Sequence, residues 1–181
     1  SSEDGCRPEV FAVVFRRLKQ HTVYRSDKKQ LLPQLRASYH VGEENQDVLD
    51  GLRAIDEAVY FLNLGSGDRL GHATMLGVNA GEWYQKNSYT VSIRQQDYLD
   101  NVVWLYHRMI HYHIANSDNL LEYLEHEFHR YFNRVYEDHI SHAYNAGIMS
   151  RNADGRDRMH PLQFNIHNYY YAWELRGDDP R

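Results

Sequence analysis

A strongly amphipathic helical pattern between two strand patterns constrains the fold of this chain most. Apolar residues recur there at spacings of three and four: Val48, Leu52, Ile55, Val59 and Leu62. This periodicity predicts a helix over residues 47–62. Residues 31–40 and 69–78 on either side have the composition of short strands, and residues 8–20 predict an earlier helix. Strands and helices that alternate in this way are typical of a parallel α/β fold.

The texture of the chain changes after residue 79. From residue 97 onwards, two long helical patterns follow each other with no strand pattern between them. They predict a helical hairpin. The first pattern has Tyr98, Val102, Leu105, Met109 and Tyr112, and the second has Leu121, Leu124, Phe128, Tyr131 and Val135. Residues 150–161 are predicted to form a loop, and residues 163–175 fit either a helix or a strand.

Composition excludes several classes of protein. A chain of 181 residues has room for about one domain. The net charge of −5 argues against binding of polymeric nucleic acid, which requires a basic face. Cys6 is the single cysteine, so an intrachain disulfide is impossible. No apolar stretch is long enough for a membrane helix, and no secretory signal pattern is present, so a cytoplasmic location without membrane contact is expected.

Two histidine motifs stand at the ends of the predicted strands. The first is His40-x-Gly42-Glu43, and the second ends at His72. Because the carboxyl ends of parallel strands meet at one edge, both motifs are expected to face one site, with Leu70 and His72 on one side of their strand. Imidazole is a common zinc ligand, and a nearby carboxyl group can transfer a proton. On residue types alone, histidines that serve only as hydrogen-bonded structural groups remain the alternative.

Three segments together resemble the later barrel half of the adenosine deaminase family. They are residues 39–44 (YHVGEE), 49–58 (LDGLRAIDEA) and 67–73 (GDRLGHA). In that family, the fifth strand ends in His-Ala-Gly-Glu and the sixth carries Arg-Ile/Val-Gly-His-Gly, in the same order and with a similar helix between them. The likeness covers residues 8–78, with conservative departures at Val41, Leu70 and Ala73.

The resemblance implies an active site for hydrolytic deamination. Members of the family are metal-dependent amidohydrolases on a (β/α)8 barrel. Carried over by position, His40 would be a zinc ligand, Glu43 the acid that protonates the purine ring nitrogen, and His72 the group that orients and deprotonates the attacking water. The expected reaction is zinc-dependent deamination of adenosine or a related amino-purine nucleoside or nucleotide, with release of ammonia.

The family pattern also predicts that this chain is one part of a larger site. A His-x-His pair on the first strand and a Ser-x-x-Asp-Asp motif after the eighth complete the family's site, whereas this chain offers two barrel strands at most. We therefore expect an α/β fold in which residues 1–78 form part of a TIM barrel and residues 79–181 a large α-helical insertion. The segment alone is expected to be inactive.

The insertion suggests further roles. Its aromatic stripe predicts formation of a homo-oligomer, and elaborated barrels of this kind also occur in antiviral defence systems. An alternative function is an inactive deaminase-like module for assembly or nucleotide sensing. A third interpretation is a free-standing helical protein whose first 78 residues only imitate the deaminase motifs.

Other polar groupings are weaker candidates. The His111-x-His113 pair is predicted to lie within a helix, where side chains two positions apart point away from each other. A stripe formed by Glu122, His126 and His129 is more typical of a solvated helix face, and residues 178–179 are more typical of a solvent loop.

Overall fold

The structure is a computed structural model that describes residues 7–20, 24–25, 30–31, 35–44, 46–114, 118–146, 148–151, 157–160 and 164–178. The chain forms two compact units. The first comprises Ser1–Ile93 with Glu174–Arg181, and the second comprises Arg94–Trp173. The first unit therefore continues beyond residue 78, where the sequence predicts the change from barrel segment to insertion. Most of the described residues are helical, and the strands are short.

The described residues of the first unit form helices and two small sheets. Its elements in chain order are α1 (Pro8–Gln20), β1 (Tyr24–Arg25), β2 (Gln30–Leu31), β3 (Ser38–Val41), α2 (Val48–Phe61), β4 (Arg69–His72), a 3₁₀ helix (Thr74–Gly77), α3 (Ala80–Lys86) and a second 3₁₀ helix (Leu175–Gly177). The predicted helices over 8–20 and 47–62 are confirmed. The predicted strands are shorter than expected, because β3 begins at Ser38 and β4 gives way after His72 to the 3₁₀ helix.

The parallel pair formed by β3 and β4 is the centre of the first unit. Ser38 pairs with Arg69 and His40 with Gly71, and α2 is the crossover between the two strands. This confirms the mixed α/β character that the sequence predicts for this region. A hydrophobic cluster supports the pair from the α2 side, and its buried members are Val41, Val48, Ile55, Ala58 and Met75. Burial of this apolar surface fixes which face of β3 is turned towards α2.

A buried carboxylate holds the chain entering β4. Asp68 accepts hydrogen bonds from the backbone N–H groups of Ala37 and Gly65, each at 2.8 Å, and forms an ion pair with Lys19 of α1. These donors stabilise the ionised carboxylate, and the backbone hydrogen bond from Ala37 contributes most. They lower the pKa of Asp68 to about 2. The contact ties α1 and the start of β3 to the turn before β4.

The second unit contains the predicted helical hairpin. Its helices α4 (Gln95–His111) and α5 (Asp118–Ala146) are followed by β5 (Ile148–Arg151), β6 (Asp157–His160) and α6, which begins at Ile166 and ends at Glu174. The hairpin is confirmed, and the open assignment at 163–175 resolves to a helix. The loop predicted over 150–161 is wrong at residues 150–151 and 157–160, where β5 and β6 pair as antiparallel strands, and residues 152–156 lie outside the described residues.

Helices α4, α5 and α6 share a core that includes buried polar groups. The apolar cluster contains Leu99, Val102, Val103, Tyr106, Met109, Leu124, Phe128, Phe132 and Ile166. Asp100 is fully buried and accepts hydrogen bonds from the Tyr169 hydroxyl at 2.7 Å and from Gln96 at 3.2 Å. Tyr136 donates to Gln96 in turn. Each of the three helices contributes to this network, so the polar groups fix how the helices pack against one another.

None of the helices in the described ranges combines the length and apolar character needed to cross a membrane. The most hydrophobic faces of α2, α4 and α5 instead contribute to the clusters described above.

Candidate metal centre at the ends of two parallel strands

Three predicted site residues come together where β3 and β4 end. His40 is the residue before the last in β3, Glu43 follows in the loop, and His72 is the last residue of β4. The Nδ1 atom of His72 lies 3.1 Å from Glu43 Oε2, and Nδ1 of His40 lies 3.8 Å from Glu43 Oε1. The ligand atoms of all three side chains are within 4.8 Å of one another. The parallel register therefore brings two distant motifs to one edge, as parallel strands do.

The backbone at His72 departs from a regular strand. His72 is paired with Val41, which is buried, and simple alternation would turn its side chain towards the same core as Leu70. Its φ is 66°, however, and this left-handed value swings Cβ away from that face. The His72 ring is consequently exposed, 5.0 Å from the ring of His40. The expectation that Leu70 and His72 share a face is wrong for this reason.

The loops after the two strands are bonded to each other. The N–H of Ala73 donates to the carbonyl of Val41 at 2.9 Å, and the Thr74 hydroxyl donates to the carbonyl of Gly42. Gly42 itself has a φ of 81°, a conformation that glycine adopts without strain. These bonds fix the loop that carries Glu43. The sequence gives no signal for Thr74, because its partner lies 32 residues away along the chain.

The donor set fits a zinc ion. Imidazole nitrogen is a common zinc ligand, and a carboxyl group and a second imidazole beside the ion can transfer protons. The Glu43 carboxylate lies 3.8 Å from the His40 imidazole and 3.1 Å from that of His72. The side chains of His40, Glu43 and His72 are 60%, 29% and 45% exposed, so the cluster is open to a small molecule.

The weaker candidates do not form comparable clusters. Within the part of the chain that the structure describes, His40, Glu43 and His72 are the only group of three metal-binding side chains. Nδ1 of His126 lies 3.8 Å from Oε1 of the neighbouring Glu127, and Asp178 forms an ion pair with Arg16 at 2.9 Å. Asp179 lies outside the described residues.

Comparison with known proteins gives no family assignment. No protein-family model matches this chain, and no curated protein sequence matches it significantly.

Proposed function

We propose that this chain carries part of the active site of a zinc-dependent deaminase. The substrate would be adenosine or a related amino-purine nucleoside or nucleotide, and the products would be the corresponding oxo-purine and ammonia. The observation that carries the proposal is the convergence of His40, Glu43 and His72 at the carboxyl ends of two parallel strands. The order and spacing of the motifs that supply them support the same reaction.

The proposal includes a particular architecture. In it, β3, α2 and β4 are one strand–helix–strand repeat of a (β/α)8 barrel, and the helices of the second unit are an insertion. Two strands cannot close a barrel, so its other strands and further metal ligands would come from other parts of the full-length protein. The carboxyl ends of barrel strands are where catalytic groups lie in this architecture, and the three side chains lie at that end.

Each residue has a distinct chemical task. Zinc would lower the pKa of water towards 7 and make a nucleophile available at neutral pH. His40 would hold the ion through an imidazole nitrogen. Glu43 would donate a proton to the purine ring nitrogen, which makes the adjacent amino-bearing carbon electrophilic. His72 would accept the proton of the attacking water and pass it to the departing amine.

The contact between Glu43 and His72 suits these tasks. Their atoms are 3.1 Å apart, so the carboxyl and the imidazole flank the same small space. The bond from the water oxygen to carbon would form as His72 takes one proton. The carbon–nitrogen bond would then break as the amine receives it and leaves as ammonia, while the remaining hydroxyl proton returns to Glu43. The overall reaction consumes one water and needs no oxidant.

The test is ammonia release by the full-length protein from adenosine and adenine nucleotides. We expect Glu43→Gln to lower the rate by about 10²- to 10⁴-fold, because the acid is lost while the side-chain shape is kept. The neighbouring Glu44→Gln variant is the matched control and should retain activity, since Glu44 is not part of the three-residue cluster. Treatment with a chelator should abolish activity, and added zinc should restore it.

Two results would count against the proposed function. Absence of ammonia from every amino-purine, in a folded protein that binds zinc, would contradict the proposal. That result would favour the alternative of an assembly or nucleotide-sensing module. Equal loss of activity in Glu43→Gln and Glu44→Gln would contradict the role given to Glu43.

A further inference from the structure

Gly71 lies directly beneath the imidazole of His40. The two residues are register partners in the parallel pair, so their side-chain positions point to the same face of the sheet. A Cβ atom built on Gly71 would lie 2.5 Å from Cδ2, 2.8 Å from Cγ and 3.0 Å from Nε2 of His40. Such distances are far shorter than the normal contact of about 3.5–4.0 Å between carbon atoms. The ring of His40 therefore occupies space that any other residue at position 71 would fill.

We infer that Gly71 is a positioning residue for the metal centre. Its missing side chain allows the His40 ring to lie across β4, 5.0 Å from the ring of His72. The inference rests on the proposed function in one respect, which is that His40 binds zinc. The steric relationship between Gly71 and His40 is independent of that assignment.

The environment of His40 determines what a substitution at Gly71 would do. The His40 side chain is 60% exposed, so a methyl group at position 71 would turn the ring into solvent without disturbing the core. Gly71 is also not among the glycines with positive φ, so alanine suits its backbone. A larger residue there should therefore displace one zinc ligand and leave the fold intact.

Gly42 provides a useful contrast. Its φ is 81°, and a Cβ there would lie 2.8 Å from Cδ1 of the buried Ile55 and 3.1 Å from Cα of Ala73. A substitution at Gly42 would strain the backbone and the core together. Gly71 differs because the three nearest atoms all belong to one exposed ring. A substitution at Gly71 is therefore expected to change the position of the His40 ring without changing the stability of the fold.

The experiment compares zinc affinity and thermal unfolding in the full-length protein. Affinity is measured by competition with a chromophoric chelator for the wild type, Gly71→Ala and Gly65→Ala. Gly65 is the matched control, because a Cβ there would meet no atom within 4 Å. We expect Gly71→Ala to bind zinc about 10- to 100-fold more weakly with little change in melting temperature, and Gly65→Ala to bind as the wild type does.

The same substitution made in a His40→Ala protein shows whether Gly71 acts through His40. In a His40→Ala protein, the ring is absent, so Gly71→Ala should cause no additional loss of zinc affinity. If Gly71→Ala alone fails to fold, the double variant should fold again, because the crowded ring has been removed. An equal effect of Gly71→Ala in both backgrounds would overturn the inference, as would zinc affinity within about twofold of Gly65→Ala.

A structural readout keeps this test distinct from that of the proposed function. If the folded wild type binds no zinc, the zinc-dependent function fails, and crystal structures of the wild type and Gly71→Ala decide the steric question. A His40 ring turned away from β4 in the variant supports the inference. A ring that stays 5.0 Å from His72 overturns it.

Discussion

Nδ1 of His72 lies 3.1 Å from Oε2 of Glu43, although α2 separates the two residues along the chain. The contact depends on the left-handed backbone of His72, whose φ is 66°. A regular strand conformation would turn the imidazole towards the α2 side, where Val41 is buried. Backbone geometry at a single residue thus determines whether the carboxyl and the second imidazole can act on the same molecule.

Replacement of His72 tests its proposed role in proton transfer. We expect His72→Asn to lower deaminase activity of the full-length protein by about 10²- to 10⁴-fold, because the group that accepts the proton of water is lost. Asparagine is chosen because it tolerates positive φ, so the fold should persist. Ammonia release and thermal unfolding are measured together.

The control for this change is His126→Asn. The His126 side chain is 78% exposed in α5 and is not part of the cluster of His40, Glu43 and His72, so activity should be unchanged. Retention of full activity by His72→Asn would contradict the assignment of His72. Loss of the folded state would instead show that the histidine is needed for the backbone conformation.

The pKa of Asp68 predicts a specific dependence of stability on pH. Its pKa is lowered from 3.8 to about 2 in the folded protein, so the ionised carboxylate stabilises the fold above about pH 4. This contribution is lost as the pH falls from about 4 to about 2. We expect Asp68→Asn to lower the free energy of unfolding at pH 7 by about 1–3 kcal/mol, since charged hydrogen bonds are lost.

The difference in free energy of unfolding between the wild type and Asp68→Asn should therefore become smaller below about pH 4. Thermal unfolding of the full-length protein over a pH series measures it. Asp178→Asn is the control, because the Asp178 side chain is 52% exposed and pairs with Arg16 at the surface. Its effect at pH 7 should be below about 1 kcal/mol. A constant difference at every pH would contradict the Asp68 prediction.

The partly buried His107 should make the stability of the second unit sensitive to acid. Burial lowers the pKa of His107 from 6.5 to about 4, with a further contribution from the charge of His167. The ring stacks on Tyr170 at 3.8 Å. Because the unfolded chain binds a proton at a higher pH than the folded protein, the free energy of unfolding should fall as the pH drops from about 6.5 to about 4. We expect His107→Phe to reduce this dependence.

Hydrogen exchange of the α4 amides in the full-length protein measures the local free energy of opening. The phenylalanine ring keeps a stacking surface towards Tyr170 and removes the titrating group. His126→Phe, at an exposed position of α5, should keep the pH dependence of the wild type. The same slope in His107→Phe and in the wild type would contradict the prediction.

The sequence alone determined the helices and the motifs of the candidate site. The apolar periodicity of α2 and of the α4–α5 hairpin states which face is buried, and that information is local. The order of strand, helix and strand also placed His40, Glu43 and His72 at strand ends that parallel pairing brings together. These features depend on residues that are near one another in the sequence, so they can be recognised without knowledge of distant contacts.

Tertiary structure alone decided the finer geometry. The left-handed backbone at His72, the space above Gly71 and the hydrogen bond from Thr74 to Gly42 all lie where β3 and β4, which are distant in sequence, run side by side. The pairing of β5 with β6 likewise replaced part of a predicted loop, at residues 150–151 and 157–160. The chemistry of a residue does not specify which distant part of the backbone it will contact. Close packing at that contact selects the conformation.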